Sequence, residues 1–151
     1  MYKKVLVPLD GSELAECALN HVKALVKEGS AKEVTLFTAV RVDTSWVELY
    51  GKNFNVEVMR KTLLGSAMKY LAGLKDGLAR EGIKVKTEVL EADGAAQGIT
   101  DYARKKGSDL IVIATHGYTG MKKLMMGSVA LSILHHSHMP VLLIRPEACR
   151  G

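Results

Sequence analysis

The segment Ile111–Val129, IVIATHGYTGMKKLMMGSV, carries residue types that bind phosphate. It opens with the apolar run Leu110–Ala114, which is typical of a strand buried on both faces. Gly117 and Gly120 follow, and glycine lets a loop bring its backbone close to a ligand. Gly127–Val129 then begin a helix, and we expect their N–H groups and the helix dipole to attract an anion, most simply phosphate. This order of strand, glycine loop and helix start predicts a nucleotide-binding site.

A second polar group follows the first predicted strand, Lys3–Leu9. Asp10 can accept hydrogen bonds there from ribose hydroxyls or from a base amino group. A structural role is the alternative, because an aspartate beside Gly11 and Ser12 is also typical of an Asx-turn or a helix cap. Ligands of open parallel sheets bind beyond the carboxyl ends of the strands. Asp10 and the loop after the fourth strand are therefore expected to meet at one edge of the sheet.

Other motifs with known chemistry do not fit. Gly117 is followed by Tyr-Thr-Gly-Met-Lys-Lys, so a P-loop is absent, and no G-x-G-x-x-G follows the first strand. Ser12 lacks a histidine and an acid at positions typical of a hydrolase triad. His135, His136 and His138 are interpreted as residues of a helix end, which favours positive charge, and we predict no metal site there. We predict no catalytic residue, so any nucleotide hydrolysis would be slow or dependent on a partner.

Strands and helices alternate along the whole chain. The predicted strands are Lys3–Leu9, Glu33–Val40, Ile83–Leu90, Leu110–Ala114 and Val141–Ile144. The predicted helices carry apolar stripes over Leu14–Leu25 and Leu64–Leu78 and then cover Ala95–Lys106 and Ser128–Ser137. Residues 41–56 show no clear pattern. This alternation predicts an α/β fold with a parallel sheet, right-handed crossovers and helices on both faces. We expect one domain over residues 1–151.

Composition and charge limit the class of protein. Hydrophobic residues make up 48% of the chain and charged residues 25%, as in ordinary globular proteins. The net charge of +5 comes from scattered lysines, with clusters only at Arg104–Lys106 and Lys122–Lys123, so we predict no nucleic-acid partner. No apolar run approaches membrane-spanning length, and no signal sequence precedes the first strand. We therefore expect a cytoplasmic protein that contacts no membrane. Cys17 and Cys149 are not expected to form a disulfide.

Three stretches of the chain resemble the universal stress proteins: KKVLVPLDGSELAECAL, DLIVIATHGYTGMKKLMMGSV and MPVLLIRP. Nucleotide-binding members of that family carry Gly, two residues, Gly, nine residues, and then Gly with Ser or Thr. The second glycine corresponds to Gly117, residues 118–126 are the nine, and Gly127–Ser128 close the motif. Ala114 stands at the first glycine position, where its methyl group can crowd a ligand.

The resemblance implies a Rossmann-like, five-stranded sheet in the order 3-2-1-4-5 and a homodimer. It also implies ATP at the point where the strand order reverses, with Mg²⁺ or Mn²⁺ carried on the phosphates. The implied base and ribose contacts are Pro8, Leu9, Asp10, Ala39 and Val40. The implied phosphate contacts are Ile113, Ala114, Thr115, His116, Gly117, Tyr118, Thr119, Gly120, Gly127, Ser128 and Val129.

The homodimer is expected to form through the last strand. In the implied order Val141, Leu142, Leu143 and Ile144 lie at a sheet edge, and this strand carries no charge. Uncharged edge strands recruit other chains, so a second copy is expected to pair with it. A tail folded over the edge is the alternative.

Three functions remain open from the sequence. The first is an ATP-binding regulatory protein of the stress response. The second, suggested by Ala114, is an interaction module that has lost nucleotide binding. The third is an enzyme that uses ATP for adenylation or hydrolysis, for which no nucleophile or general base is evident.

Overall fold

The computed structural model describes residues 1–116 and 126–146, apart from the side chain of Lys52. The strands are β1 (Tyr2–Pro8), β2 (Ala31–Val40), β3 (Lys86–Glu91), β4 (Leu110–Ala114) and β5 (Val141–Ile144). The helices are α1 (Glu13–Glu16), α2 (Ala18–Lys27), α3 (Ser45–Tyr50), α4 (Val56–Arg80), α5 (Ala95–Lys106) and α6 (Ser128–His136). A 3-10 turn, Gly51–Asn53, joins α3 to α4.

The five strands form one parallel sheet in the order β3-β2-β1-β4-β5. The predicted fold class and strand order are therefore confirmed. The order reverses between β1 and β4, where Val5 pairs with Leu110. Connections leave β1 and β4 toward opposite sides at this point, which opens a crevice beyond the strand ends.

Helices cover both faces of the sheet because the central strands are apolar on both sides. Val5 and Val7 of β1 belong to a core with residues of α2 and α4, including Leu71. Leu6 points the other way and packs with Ile99 of α5 and Ile133 of α6. Strands buried on both faces read as continuous apolar runs, which is why β1 and β4 were predictable from the sequence.

The main differences between the predicted elements and the structure concern the first helix, β3 and residues 41–56. The first helix is divided at Cys17, whose N–H bonds to the carbonyl of Leu14, three residues back, at 3.3 Å. Sheet pairing of β3 begins at Lys86 and not at Ile83, although Ile83 is buried in the core. Residues 41–56 contain the short helix α3, which has no buried residue.

None of the described helices is both long enough and apolar enough to span a bilayer.

Candidate functional site

A cleft lies where the strand order reverses, at the carboxyl ends of β1 and β4. Its lining residues are Pro8, Leu9, Asp10, Ala15, Ala39, Ala95, Ile99, Ile113, Ala114, Thr115, His116, Gly127, Ser128, Val129 and Ala130. Its volume is about 170 Å³. The cleft is partly open to solvent, and its lining is mostly apolar.

The turn after β1 is built around the Asp10 carboxylate. Asp10 Oδ1 accepts hydrogen bonds from the Ser12 N–H at 2.9 Å and the Ser12 hydroxyl at 2.5 Å. Ser12 Oγ in turn accepts a hydrogen bond from the Ala15 N–H at 3.1 Å and caps α1. The Asx-turn that the sequence left open is therefore present. An ionised carboxylate accepts more than two hydrogen bonds, so this role is compatible with a second one toward a ligand.

Thr38 ties the turn after β1 to the neighbouring strand. Its hydroxyl donates a hydrogen bond to the Leu9 carbonyl at 3.0 Å, and the Leu9 N–H donates to the Phe37 carbonyl at 2.8 Å. Leu9 is thus held to β2 from both its N–H and its carbonyl, immediately before Asp10.

Thr115 fixes the end of β4 through three hydrogen bonds. Its N–H donates to the Ile144 carbonyl at 2.9 Å, and its carbonyl accepts from the Gly127 N–H at 2.7 Å. Its hydroxyl lies 2.8 Å from His116 Nδ1. The other ring nitrogen, Nε2, is buried and has no hydrogen-bond partner among the described residues. A buried polar atom of this kind costs free energy until a partner satisfies it.

Gly127 lies against the end of β4 at the start of α6. A Cβ atom at this position would approach the Thr115 carbonyl oxygen to 3.0 Å, closer than most real Cβ contacts. The glycine therefore lets the helix begin close to the strand. Its N–H is used by Thr115, which corrects the expectation that all of Gly127–Val129 offer free donors to an anion.

The helix start itself remains suited to an anion. Gly127 is the N-cap residue of α6 and supplies no side-chain cap. The first N–H groups of an α-helix lack partners within the helix, and the helix dipole is positive at this end. Ser128 and Val129 line the cleft, so their backbone N–H groups are the ones at the helix start that an anion in the cleft could reach.

Acidic side chains flank the turn between β1 and α1. Burial raises the pKa of Glu16, and the Glu13 and Asp10 carboxylates raise it further. Within residues 1–116 and 126–146, no three His, Cys, Asp or Glu side chains are grouped so as to hold a metal ion.

Most of the predicted contact residues lie at this cleft. Val40 is not among its lining residues; its carbonyl accepts a hydrogen bond from the Ala92 N–H at 2.9 Å. Gly117, Tyr118, Thr119 and Gly120 lie outside the described residues. The sequence analysis missed four lining residues: Ala15, Ala95, Ile99 and Ala130. Three of these are alanines in the first turn of a helix that starts at this edge of the sheet. Alanine has no functional group, so only this position could have identified them from the sequence.

A scan against known families matches residues 1–145 to the universal stress protein family. The chain belongs to this family. Universal stress protein MJ0577 of Methanocaldococcus jannaschii is 32% identical over 157 aligned positions, which cover 96% of each chain. The solved structure of MJ0577 superposes with a TM-score of 0.80 at 33% identity, again over 96% of both chains.

Two more distant members of the universal stress protein family share the fold and were solved with nucleotides. One, in complex with cAMP, has a TM-score of 0.61 at 17% identity and covers 96% of this chain and 98% of its own. The other, from Arabidopsis thaliana with AMP bound, has a TM-score of 0.66 at 15% identity and covers 95% and 91%.

Proposed function

We propose that this protein binds an adenine nucleotide, ATP, in the cleft between the ends of β1 and β4. One observation carries the proposal: the turn at Asp10, the end of β4 at Thr115 and the start of α6 border a single cleft. Ligands of doubly wound parallel sheets occupy this place. The cAMP and AMP complexes of two proteins of the same fold support an adenine nucleotide as the ligand.

The base and the ribose take the part of the cleft nearest β1 and β2. Pro8, Leu9 and Ala39 give this part of the cleft apolar walls, which suit the faces of a planar ring. Val40 follows Ala39 at the end of β2, and we place its backbone at the rim. Asp10 accepts hydrogen bonds from the ribose hydroxyls while it keeps the turn to Ser12.

The phosphates lie at the start of α6. The N–H groups of Ser128 and Val129 donate to phosphate oxygens, and the helix dipole adds about 0.3–1 kcal/mol for an anion. Residues Ile113 to Gly120 complete the phosphate site from the β4 side. Mg²⁺ or Mn²⁺ would be held mainly by phosphate oxygens and water, as is usual for Mg²⁺ with nucleotides.

The protein acts in the cytoplasm as a nucleotide-dependent regulator of the stress response. We assign no catalytic residue, and any hydrolysis would be slow or would depend on a partner. Nucleotide occupancy, rather than turnover, would then carry the signal.

Two measurements test nucleotide binding. Purified protein is denatured and the released small molecules are identified, and ATP binding to nucleotide-free protein is measured by isothermal titration. We expect micromolar affinity. Protein that carries no nucleotide and binds no ATP at millimolar concentration would refute the proposal.

A nucleotide-independent interaction module is the second candidate, and two observations favour it. Ala114 lines the cleft in place of the family's glycine. In addition, the aromatic side chains of Trp46, Tyr50 and Phe54 stack in sequence, at 5.6 and 6.3 Å between ring centroids, and Trp46 and Tyr50 are exposed. Ala114→Gly separates the two functions: ATP binding that appears only in this variant would favour the interaction module.

We further propose that the protein is a homodimer paired through Val141, Leu142, Leu143 and Ile144 of β5. This strand is one edge of the sheet. Leu142 is 38% exposed, and Leu131 and Leu134 of the adjacent α6 are also exposed. Pairing with a second β5 would cover these apolar side chains and the outer edge of the strand; residues 147–151 of the tail, the alternative cover, lie outside the described residues.

A further inference from the structure

We infer that Gly98 of α5 and Ala92 of the turn before α5 form a size-matched pair that sets the width of the base end of the cleft. Gly98 is then a positioning residue for the nucleotide base, although neither residue of the pair is a lining residue of the cleft. The inference rests on the proposed function and adds two residues that act on the bound base through their neighbours.

The space beside Gly98 is occupied by two alanine side chains. A Cβ atom built on Gly98 would lie 2.7 Å from the Cβ atom of Ala92 and 3.5 Å from that of Ala39. The first distance is shorter than real Cβ atoms adopt, whereas the second is an ordinary van der Waals contact. Gly98 belongs to the helix α5 and its φ is not positive, so the Ala92 methyl group, and not the backbone conformation, excludes a larger residue.

Ala92 is held in place by the sheet. Its N–H donates a hydrogen bond to the Val40 carbonyl at 2.9 Å, and Glu91, directly before it, pairs with Val40. The methyl group of alanine has no alternative rotamer into which it could withdraw. A methyl group added at Gly98 would therefore push α5 away from the end of β2.

The part of α5 around Gly98 forms one wall of the cleft. Ala95 and Ile99 line the cleft from α5, and Ala39 lines it from β2. The close approach of α5 at Gly98 therefore sets the distance between the α5 wall and Ala39. A planar ring gains dispersion energy only from walls at van der Waals distance, and a gap of a fraction of an ångström already loses much of it. A displaced α5 should therefore hold the base less tightly.

Gly98→Ala tests the pair, and Gly73→Ala is its control. Both variants place an alanine inside a helix and gain helix propensity, but a Cβ atom at Gly73 of α4 meets no described heavy atom within 4 Å. We expect Gly98→Ala to weaken ATP binding about fivefold, because the base loses contacts with one wall. Gly73→Ala should bind ATP as tightly as the wild type.

Ala92→Gly should restore the binding that Gly98→Ala weakens. Without the Ala92 methyl group, the nearest neighbour of the new Cβ atom is the Cβ atom of Ala39, at an ordinary 3.5 Å. We expect the double variant Ala92→Gly/Gly98→Ala to bind ATP within about twofold of Ala92→Gly alone. Two substitutions that each disturbed the fold independently would add their effects instead of cancelling them.

Isothermal titration with ATP and with adenosine shows which end of the site is disturbed. A displaced base wall weakens both ligands by the same factor, since both carry the base. A loss in Gly98→Ala that is larger for ATP than for adenosine would place the disturbance at the phosphates and would overturn the inference. A double variant that binds no better than Gly98→Ala would also overturn it.

The outcomes distinguish this inference from the proposed function. If the wild type binds neither ATP nor adenosine, the proposed function fails and the inference fails with it. If the wild type binds ATP and Gly98→Ala binds it equally well, only the size-matched pair fails. If Gly98→Ala does not fold, the double variant decides: ATP affinity like that of Ala92→Gly supports the pair, and a double variant that does not fold or does not bind ATP overturns it.

Discussion

Gly127 is confined by the Thr115 carbonyl, so its replacement should affect both the fold and the site. A Cβ atom would lie 3.0 Å from that oxygen, and the Gly127 N–H already bonds to it. We expect Gly127→Ala to lower the free energy of unfolding by about 1–3 kcal/mol, as overpacking usually does. It should also weaken ATP binding, because the start of α6 must move away from β4. Gly127→Val should abolish binding. Thermal unfolding and isothermal titration measure the two effects.

Gly73 provides the matched control for Gly127→Ala. It lies in α4, and no described heavy atom comes within 4 Å of a Cβ built there. Gly73→Ala should raise the free energy of unfolding by about 0.5–1 kcal/mol and leave ATP affinity unchanged. If Gly127→Ala behaves in the same way as Gly73→Ala, the contact with Thr115 has no energetic importance.

Asp10 is predicted to have two separable roles. Asp10→Ala removes the acceptor for the Ser12 N–H and hydroxyl and should lower the free energy of unfolding by about 1 kcal/mol. Asp10→Asn keeps a carbonyl oxygen for the turn but loses the charge, so stability should stay near that of the wild type. ATP affinity should fall about fivefold, because a ribose hydroxyl bonds more strongly to a charged acceptor. Wild-type affinity in Asp10→Asn would confine Asp10 to the turn.

The sequence showed which residues lie at the site better than it showed their bonds. Asp10, Thr115 and Gly127 could be placed at one edge because strand and helix periodicity determine where each element ends. The Gly127 N–H donates to the Thr115 carbonyl because β4 and α6 lie close together in the fold. The spacing of residues along the sequence carries no information about that distance.

At the scale of the elements, Glu16 in α1 links stability to pH. Its folded pKa is raised by burial and by Glu13 and Asp10, so the native state holds this proton more tightly than the unfolded state. The contribution of Glu16 to the free energy of unfolding is therefore fully present when the pH is below its ordinary pKa of 4.5. This contribution is lost as the pH rises through the raised pKa of the folded state. Glu16→Gln should be more stable than the wild type at about pH 7, with a difference that vanishes as pH falls below the ordinary range. Urea unfolding at several pH values measures it.

Glu81 gives a control of opposite sign. It directly follows α4, and its hydrogen bond from Lys23, at 2.8 Å, holds its pKa below the ordinary value. The hydrogen bond therefore stabilises the fold when the pH is above the ordinary pKa of Glu81, and this stabilisation is lost as the pH falls through the lowered pKa. Glu81→Gln should therefore be less stable than the wild type near neutral pH. If Glu16→Gln is less stable than the wild type at about pH 7, as Glu81→Gln is expected to be, the electrostatic account of α1 is wrong.

The accuracy of the predicted elements follows from how each is buried. The limits of β4 and β5 agree with the prediction because each strand is a continuous apolar run. The start of β3 was misplaced because Ile83 and Val85 are buried although they precede the paired residues. The helix α3 was missed because it spans only six residues and packs none of them into the core, so its pattern is too short to identify a helix.

At the scale of the whole molecule, Leu142 tests the proposed dimer. Its side chain is 38% exposed, whereas Leu143 packs against the core shared with α5 and α6, so a charge at Leu142 disturbs the subunit less. We expect Leu142→Lys to yield a monomer with near wild-type stability, as judged by light scattering and thermal unfolding. The exposed Leu49→Lys in α3 is the control and should leave the dimer intact. A wild type that stays monomeric at high micromolar concentration would exclude the dimer.

The central claim is that ATP occupies the cleft between β1, β4 and α6. Titration of isotope-labelled protein with ATP, followed through its backbone amide resonances, tests binding and position together. We predict saturable shifts at micromolar ATP for Asp10, Thr115, Ser128 and Val129, while the indole resonance of Trp46, which is not a lining residue of the cleft, stays unchanged. Shifts centred on Trp46 and its neighbours, or no shifts at millimolar ATP, would contradict the claim.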